Sequence, residues 1–99
     1  MAKLQRAPLQ LDLQRNTAAR LVEQVADGLA LLIERGELRS GERLPSVRQL
    51  AESHGIGAST VVEAYEQLVA RGMLLARRGA GFFVAARAAR RIAASVEPL

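Results

Sequence analysis

The segment Ser46 to Gly72, SVRQLAESHGIGASTVVEAYEQLVARG, constrains the fold more than any other part of the chain. Two short amphipathic runs lie on either side of Gly55-Ile56-Gly57. The first predicts a helix from Ser46 to about His54. The second predicts a helix that starts at Ala58 or Ser59 and ends at Gly72. Ser46 suits an N-cap, and Gln49, three residues on, completes a capping-box pattern after Pro45. Ala51 is small where two helices must approach closely, and Gly55 is free to take the positive φ that leads a chain out of a helix. Ile56 and Val61 are apolar where the turn and the second helix must fold back onto a core. In that helix Val61, Ala64, Tyr65 and Leu68 fall at i, i+3, i+4 and i+7 and define a core face. Ser59, Thr60, Val62, Glu63, Glu66 and Gln67 are assigned to the other face. Two such helices joined by a short Gly-containing turn predict a helix-turn-helix.

The flanking residues supply the rest of a small domain. Between residues 17 and 35, Leu21, Val22, Val25, Ala26, Leu29, Leu32 and Ile33 recur at three- and four-residue steps, which predicts an amphipathic scaffold helix. Asn16 or Thr17 can cap it and Gly36 can end it. Gly28 inside it costs about 1 kcal/mol against Ala. Residues 36–45, GELRSGERLP, form a tight connection in which Arg43-Leu44 can add a short strand to a later hairpin. That hairpin runs from Met73 to Arg77 and from Phe82 to Ala85, with Arg78-Gly79-Ala80-Gly81 as its turn. The expected fold is mainly α with a small β-hairpin, a winged helix-turn-helix with a three-helix core plus a wing. The domain spans residues 16–85. Residues 1–15 read as a flexible arm, extended or disordered unless a partner holds it, with Leu9, Leu11 and Leu13 compatible with a short strand. Residues 86–99 read as a basic C-terminal helix or linker.

Composition narrows the function. With no cysteine, a disulfide scaffold, a Cys-based zinc site and a thiol nucleophile are excluded, and a reducing cytoplasm fits. No run approaches the ~18 apolar residues of a membrane span, and Met1-Ala2-Lys3 is not followed by a secretory apolar stretch. His54 sits alone at a helix end, and Glu63 and Glu66 read as solvated charge, so the chain is not expected to be an enzyme. The net charge is +4, and from Gln67 to Val96 there are six arginines and no Asp or Glu. A one-signed block of this kind points to a polyanion. Short hydroxyls at Ser59 and Thr60 suit phosphate or base-edge contact, because free N–H groups and the positive end of the helix dipole lie there. Arg77 and Arg78 make the hairpin tip basic, while Gly79 and Gly81 let its backbone come close to a groove. The expected partner is double-stranded DNA, with no membrane involved.

GELRSGERLPSVRQLAESHGIGASTVVEAYEQLVARGMLLARRGAGFFVA, residues 36–85, resembles the N-terminal winged helix-turn-helix domain of GntR-family transcription regulators. Pro45 to Ala51 and Arg78 to Val84 are its most specific parts, and the helix 17–35 extends the match. Within that family, Val61 to Leu68 and Leu21 to Ile33 look most like the MocR subfamily. The resemblance implies sequence-specific DNA binding in transcription regulation. It assigns contact to Arg48 on the first motif helix beside Ser46, to Ser59 and Thr60 at the start of the recognition helix, and to Arg78 and Gly79 on the wing. Arg77 is expected on a phosphate, and Val62 against a thymine methyl. Many relatives carry Ser-Arg where this chain has Gly57-Ala58, so the resemblance implies less base reading by arginine here. MocR proteins also bind pyridoxal 5′-phosphate, in a large aminotransferase-like C-terminal domain. These residues would need no cofactor and no metal, and would form an isolated domain or fragment, monomeric or weakly dimeric, of a homodimeric full-length protein. A stand-alone YtrA-like regulator and a winged-helix protein-interaction module are the alternatives.

Overall fold

The computed structural model describes residues 9–14 and 17–86. The expectations for Asn16, for the start of the arm and for the basic segment 87–99 lie outside the described residues. Three helices come first: α1 (Ala18–Glu34), α2 (Val47–His54) and α3 (Ala58–Ala70). A hairpin of β1 (Leu74–Arg77) and β2 (Gly81–Val84) follows.

α1 starts where the Thr17 hydroxyl accepts the Arg20 N–H at 3.3 Å. Val22, Val25, Ala26, Leu29, Ala30 and Ile33 form its buried stripe. Its neighbour in the core is α3, whose Val61, Ala64, Tyr65 and Leu68 are all fully buried. α2 is short and held mainly at its ends. At its start the Ser46 hydroxyl accepts the Gln49 N–H at 3.1 Å while the Gln49 side chain accepts the Ser46 N–H at 2.9 Å. At its end Gly55 takes φ +64°, and the Ile56 N–H closes back on the Ala51 carbonyl at 3.0 Å. α3 stops at Ala70, short of the expected Gly72. Gly72 instead takes φ +79°, and Met73 bonds back to the Leu68 carbonyl.

The hairpin pairs Leu74 with Val84, Leu75 with Phe83, Ala76 with Phe82 and Arg77 with Gly81. The expected extra strand is a single bridge between Arg43 and Phe83, flanked by Leu44 N–H to Phe82 O at 2.8 Å and Val84 N–H to Glu42 O at 2.9 Å. Because side chains alternate along a strand, Leu74, Val84, Leu44 and Phe82 face the core, and Leu75, Arg77, Gly81, Phe83 and Arg43 face outward. Phe82 meets Tyr65 edge to face, with ring centroids 4.8 Å apart.

In the arm, residues 9–14 form no strand and lie against the domain. Leu9, Leu11 and Leu13 pack on the core. The Leu11 N–H donates to His54 Nε2 at 2.9 Å. Gln14 and Gln24 exchange two hydrogen bonds, at 2.8 and 3.1 Å. Leu11 also explains Gly28. A Cβ on Gly28 would lie 3.0 Å from Leu11 Cδ2, so the glycine leaves room for the arm on α1.

Candidate nucleic-acid interface

The turn Gly55-Ile56-Gly57 leaves the start of α3 open. Gly57 is its N-cap and supplies no side-chain hydrogen bond, so the first N–H groups of α3 have no side-chain acceptor. Ala58 and Ser59 are exposed there, Val62 is half-buried, and Glu63, Glu66 and Gln67 continue the exposed face. Thr60 is a correction. It was expected beside Ser59 on the outer face, but only 7 % of it is exposed. Thr60 precedes Val61 and lies one turn before Ala64, so it belongs to the edge of the core stripe, with its Oγ1 4.0 Å from where a Cβ on Gly57 would stand.

α2 lies beside this opening and is fastened to α3 by Tyr65. The Tyr65 hydroxyl donates to the Pro45 carbonyl at 2.6 Å, which ties the middle of α3 to the entry of α2. Burial pushes the Tyr65 phenol well above its usual pKa range, so it remains a neutral donor. Ser46 is exposed, but its oxygen is occupied as a cap, so its structural role comes first. Arg48 points to solvent. Its Nε lies 3.7 Å from Glu52 Oε2, with 85 % and 73 % of the two side chains exposed. A pair so exposed contributes well under about 1 kcal/mol and leaves Arg48 available to a stronger anion.

At the hairpin tip, Arg78, Gly79 and Ala80 form a three-residue loop closed by Ala80 N–H to Arg77 O at 2.9 Å. Gly79 takes φ +78° in the third place of this turn, where a side chain would be strained. Arg77, Arg78 and Gly79 are all exposed. The Arg77 guanidinium lies 5.9 Å from the centre of the Phe83 ring on the outer face.

The arginines expected to act together are thus divided. Arg71, counted in the one-signed block, pairs with Asp27 of α1 at 3.6 Å. Arg87, Arg90 and Arg91 lie outside the described residues. His54 was read as a surface or capping residue, yet it anchors the arm. The signal was out of reach because its partner, Leu11, is 43 residues away. Among the described residues no group of His, Asp and Glu is arranged to hold a metal ion, and no helix is long and apolar enough to cross a membrane.

Comparison with known proteins gives the same picture. MocR of Rhizobium meliloti is 36% identical over 75 residues, which is 76% of this chain and 15% of that protein. YtrA from Sulfolobus acidocaldarius, a GntR-family transcription factor, superposes with a TM-score of 0.69 at 32% identity, covering 89% of this chain and 76% of that one. The DNA-binding domain of AraR, solved in complex with its operator, superposes with a TM-score of 0.64 at 26% identity, covering 83% of this chain and 94% of that one. The chain spans a quarter or less of the length of several curated relatives it matches. The model of the gntR family of bacterial regulatory proteins matches residues 21–84. With a helix-turn-helix, a basic wing and that match over most of its length, this chain belongs to the GntR family.

Proposed function

We propose that this is the sequence-specific DNA-binding domain of a bacterial transcription regulator of the MocR type. α3 lies in the major groove and the hairpin in the adjoining minor groove. The observation that carries the reading is the wing. It presents exposed Arg77 and Arg78, with no carboxylate partner among the described residues, on a hairpin packed against α3 through Phe82 and Tyr65. The AraR domain, similar over nearly its whole length, was solved on its operator, which supports the same use of the fold. Ser59 and the open N–H groups of α3 meet a phosphate or a base edge, and Val62 meets a thymine methyl. Arg48 and Arg77 hold phosphates, and Arg78 with Gly79 enters the minor groove. The domain binds without catalysing, and the whole protein acts in the cytoplasm as a homodimer.

The test is duplex binding at two salt concentrations. With three or four phosphate contacts, affinity should fall on the order of a hundredfold for a fourfold rise in salt. No binding, or binding indifferent to salt, would leave a protein-interaction module as the better reading. Pyridoxal 5′-phosphate, if the whole protein uses it, belongs to a further domain. The only lysine of this chain is Lys3, and no residue here is assigned to that cofactor. One observation favours a second reading, a short YtrA-like regulator: the chain covers 76% of the YtrA structure and 64% of YhcF from Bacillus subtilis. The reading frame after Leu99 decides between them. A long frame with a Schiff-base lysine supports MocR, and a short helical tail supports YtrA.

A further inference from the structure

The described arginines fall into two groups. Arg20, Arg35, Arg48 and Arg71 each lie within 4 Å of a carboxylate, at Glu23, Glu37, Glu52 and Asp27. The guanidinium groups of Arg39, Arg43, Arg77 and Arg78 form no ion pair with a carboxylate among the described residues, although the Arg39 amide donates to Glu42 Oε1 at 2.9 Å. All four of these lie on the hairpin or on the connection hydrogen-bonded to it. Unpaired positive charge is therefore gathered on one small sheet rather than spread over the surface.

Arg43 is the member of this group with the most defined position. Its bridge to Phe83 makes it the first residue of a row across the outer face, Arg43, Phe83, Leu75. Arg77 reaches over the Phe83 ring from the far strand. The Arg43 guanidinium lies across Gly81 at the end of the loop. A Cβ on Gly81 would stand 3.2 Å from Arg43 Nε, 3.5 Å from Nη2 and 3.7 Å from Cζ. The missing side chain of Gly81 is thus the space in which the guanidinium rests. Arg43 remains exposed all the same. Arg43 beside Gly81 and Arg77, the cross-strand partner of Gly81, are like charges on one face, and an anion bound beside them relieves their repulsion. Leu75, 43 % exposed, completes a face with an apolar centre and a charged border.

We infer that Arg43 contacts a backbone phosphate of duplex DNA from the outer face of the wing. The interface then includes the connection between α1 and α2 as well as α3 and the hairpin tip. The inference rests on the DNA-binding reading above, but assigns a role that neither the motif helices nor the tip supply. A phosphate contact positions the protein and carries no sequence information, so its loss should be even across sequences.

The experiment is fluorescence anisotropy on one duplex over a range of salt concentrations, with wild type, Arg43→Gln, Arg43→Lys and Arg20→Gln. Arg20 lies in the first turn of α1, paired with Glu23, and serves as the control. Arg43→Gln should bind several-fold more weakly at low salt. Its plot of log affinity against log salt should be shallower by about 0.9, the share of one phosphate. Arg43→Lys should keep most of the wild-type slope, and Arg20→Gln all of it. Thermal unfolding of each variant confirms that the slope is read on folded protein. If wild type binds with a steep slope and Arg43→Gln keeps that slope, Arg43 is a solvated surface residue and the inference is overturned. An Arg43→Lys slope as shallow as that of Arg43→Gln overturns the charge role as well. If wild type shows no salt-dependent binding, the DNA reading itself fails and this inference with it.

Discussion

At the scale of single residues, the interface rests on few side chains with distinct tasks. Arg78 sits on a loop whose Gly79 has φ +78°, so a narrow tip without a side chain at Gly79 carries the charge into a groove. A·T-rich minor grooves are narrow and strongly negative. Arg78→Ala should therefore lose more affinity for a site with A·T-rich flanks than for one with G·C-rich flanks, whereas Arg77→Ala should lose evenly. Binding of both variants to two sites that differ only in the flanks checks this, and equal losses for Arg78→Ala would reduce its role to plain charge. Ser59 and Thr60, adjacent and chemically alike, should behave differently. Thr60 is buried and Ser59 exposed, so Thr60→Val should leave affinity nearly unchanged while Ser59→Ala lowers it. A matching loss from Thr60→Val in folded protein would restore Thr60 to the interface. Arg48→Ala should weaken binding to all sequences and take about one phosphate off the salt dependence. An unchanged slope would assign Arg48 to its 3.7 Å pair with Glu52 alone.

At the scale of elements, geometry is set where helices begin and end. Gly55 has φ +64° and open space around its Cα, so Gly55→Ala meets backbone strain and nothing else. The cost should be about 1–2 kcal/mol, read as a lower midpoint in urea unfolding with an unchanged slope. Tyr65→Phe removes the 2.6 Å bond to the Pro45 carbonyl and should cost about 1 kcal/mol, with a larger loss in DNA affinity if that bond sets how α2 meets α3. His54→Ala should free the arm, seen as faster hydrogen exchange at the Leu11 amide with exchange in α3 unchanged. The parts of this architecture that were legible in the sequence are local ones. The Ser46–Gln49 box, the positive-φ glycines and the 3.6-residue stripes on α1 and α3 each need only a few neighbouring residues to be recognised. What was not legible depends on contacts between distant residues. Gly28 read as a cost because Leu11, which fills its space, lies on a different segment. Thr60 was placed by its polarity, although its step to Ala64 puts it beside the core. Arg43 reads as a strand residue, and only its bridge to Phe83 in the register of the hairpin shows that it faces outward with Arg77.

At the scale of the molecule, two faces differ in charge. The α1 side carries Glu23, Asp27 and Glu34, and there the arginines Arg20 and Arg71 are paired with acids. The wing side carries the arginines without carboxylate partners. A polyanion is drawn to the second face rather than to the first, where acids and arginines offset each other, and this orients the domain before any base is read. One such module makes few base contacts, so two tethered copies should bind roughly 10²–10⁴ times more tightly than one when the half-sites suit the linker. The central claim is that α3 and the wing together meet duplex DNA. Amide chemical shifts of the labelled domain, followed as duplex is added, test this most directly. Shifts are expected at Ser59 to Glu63 and at Arg77 to Gly81, with Glu23, Asp27 and Glu34 unmoved. Shifts confined to α1, or none at either the start of α3 or the wing at saturating duplex, would contradict it.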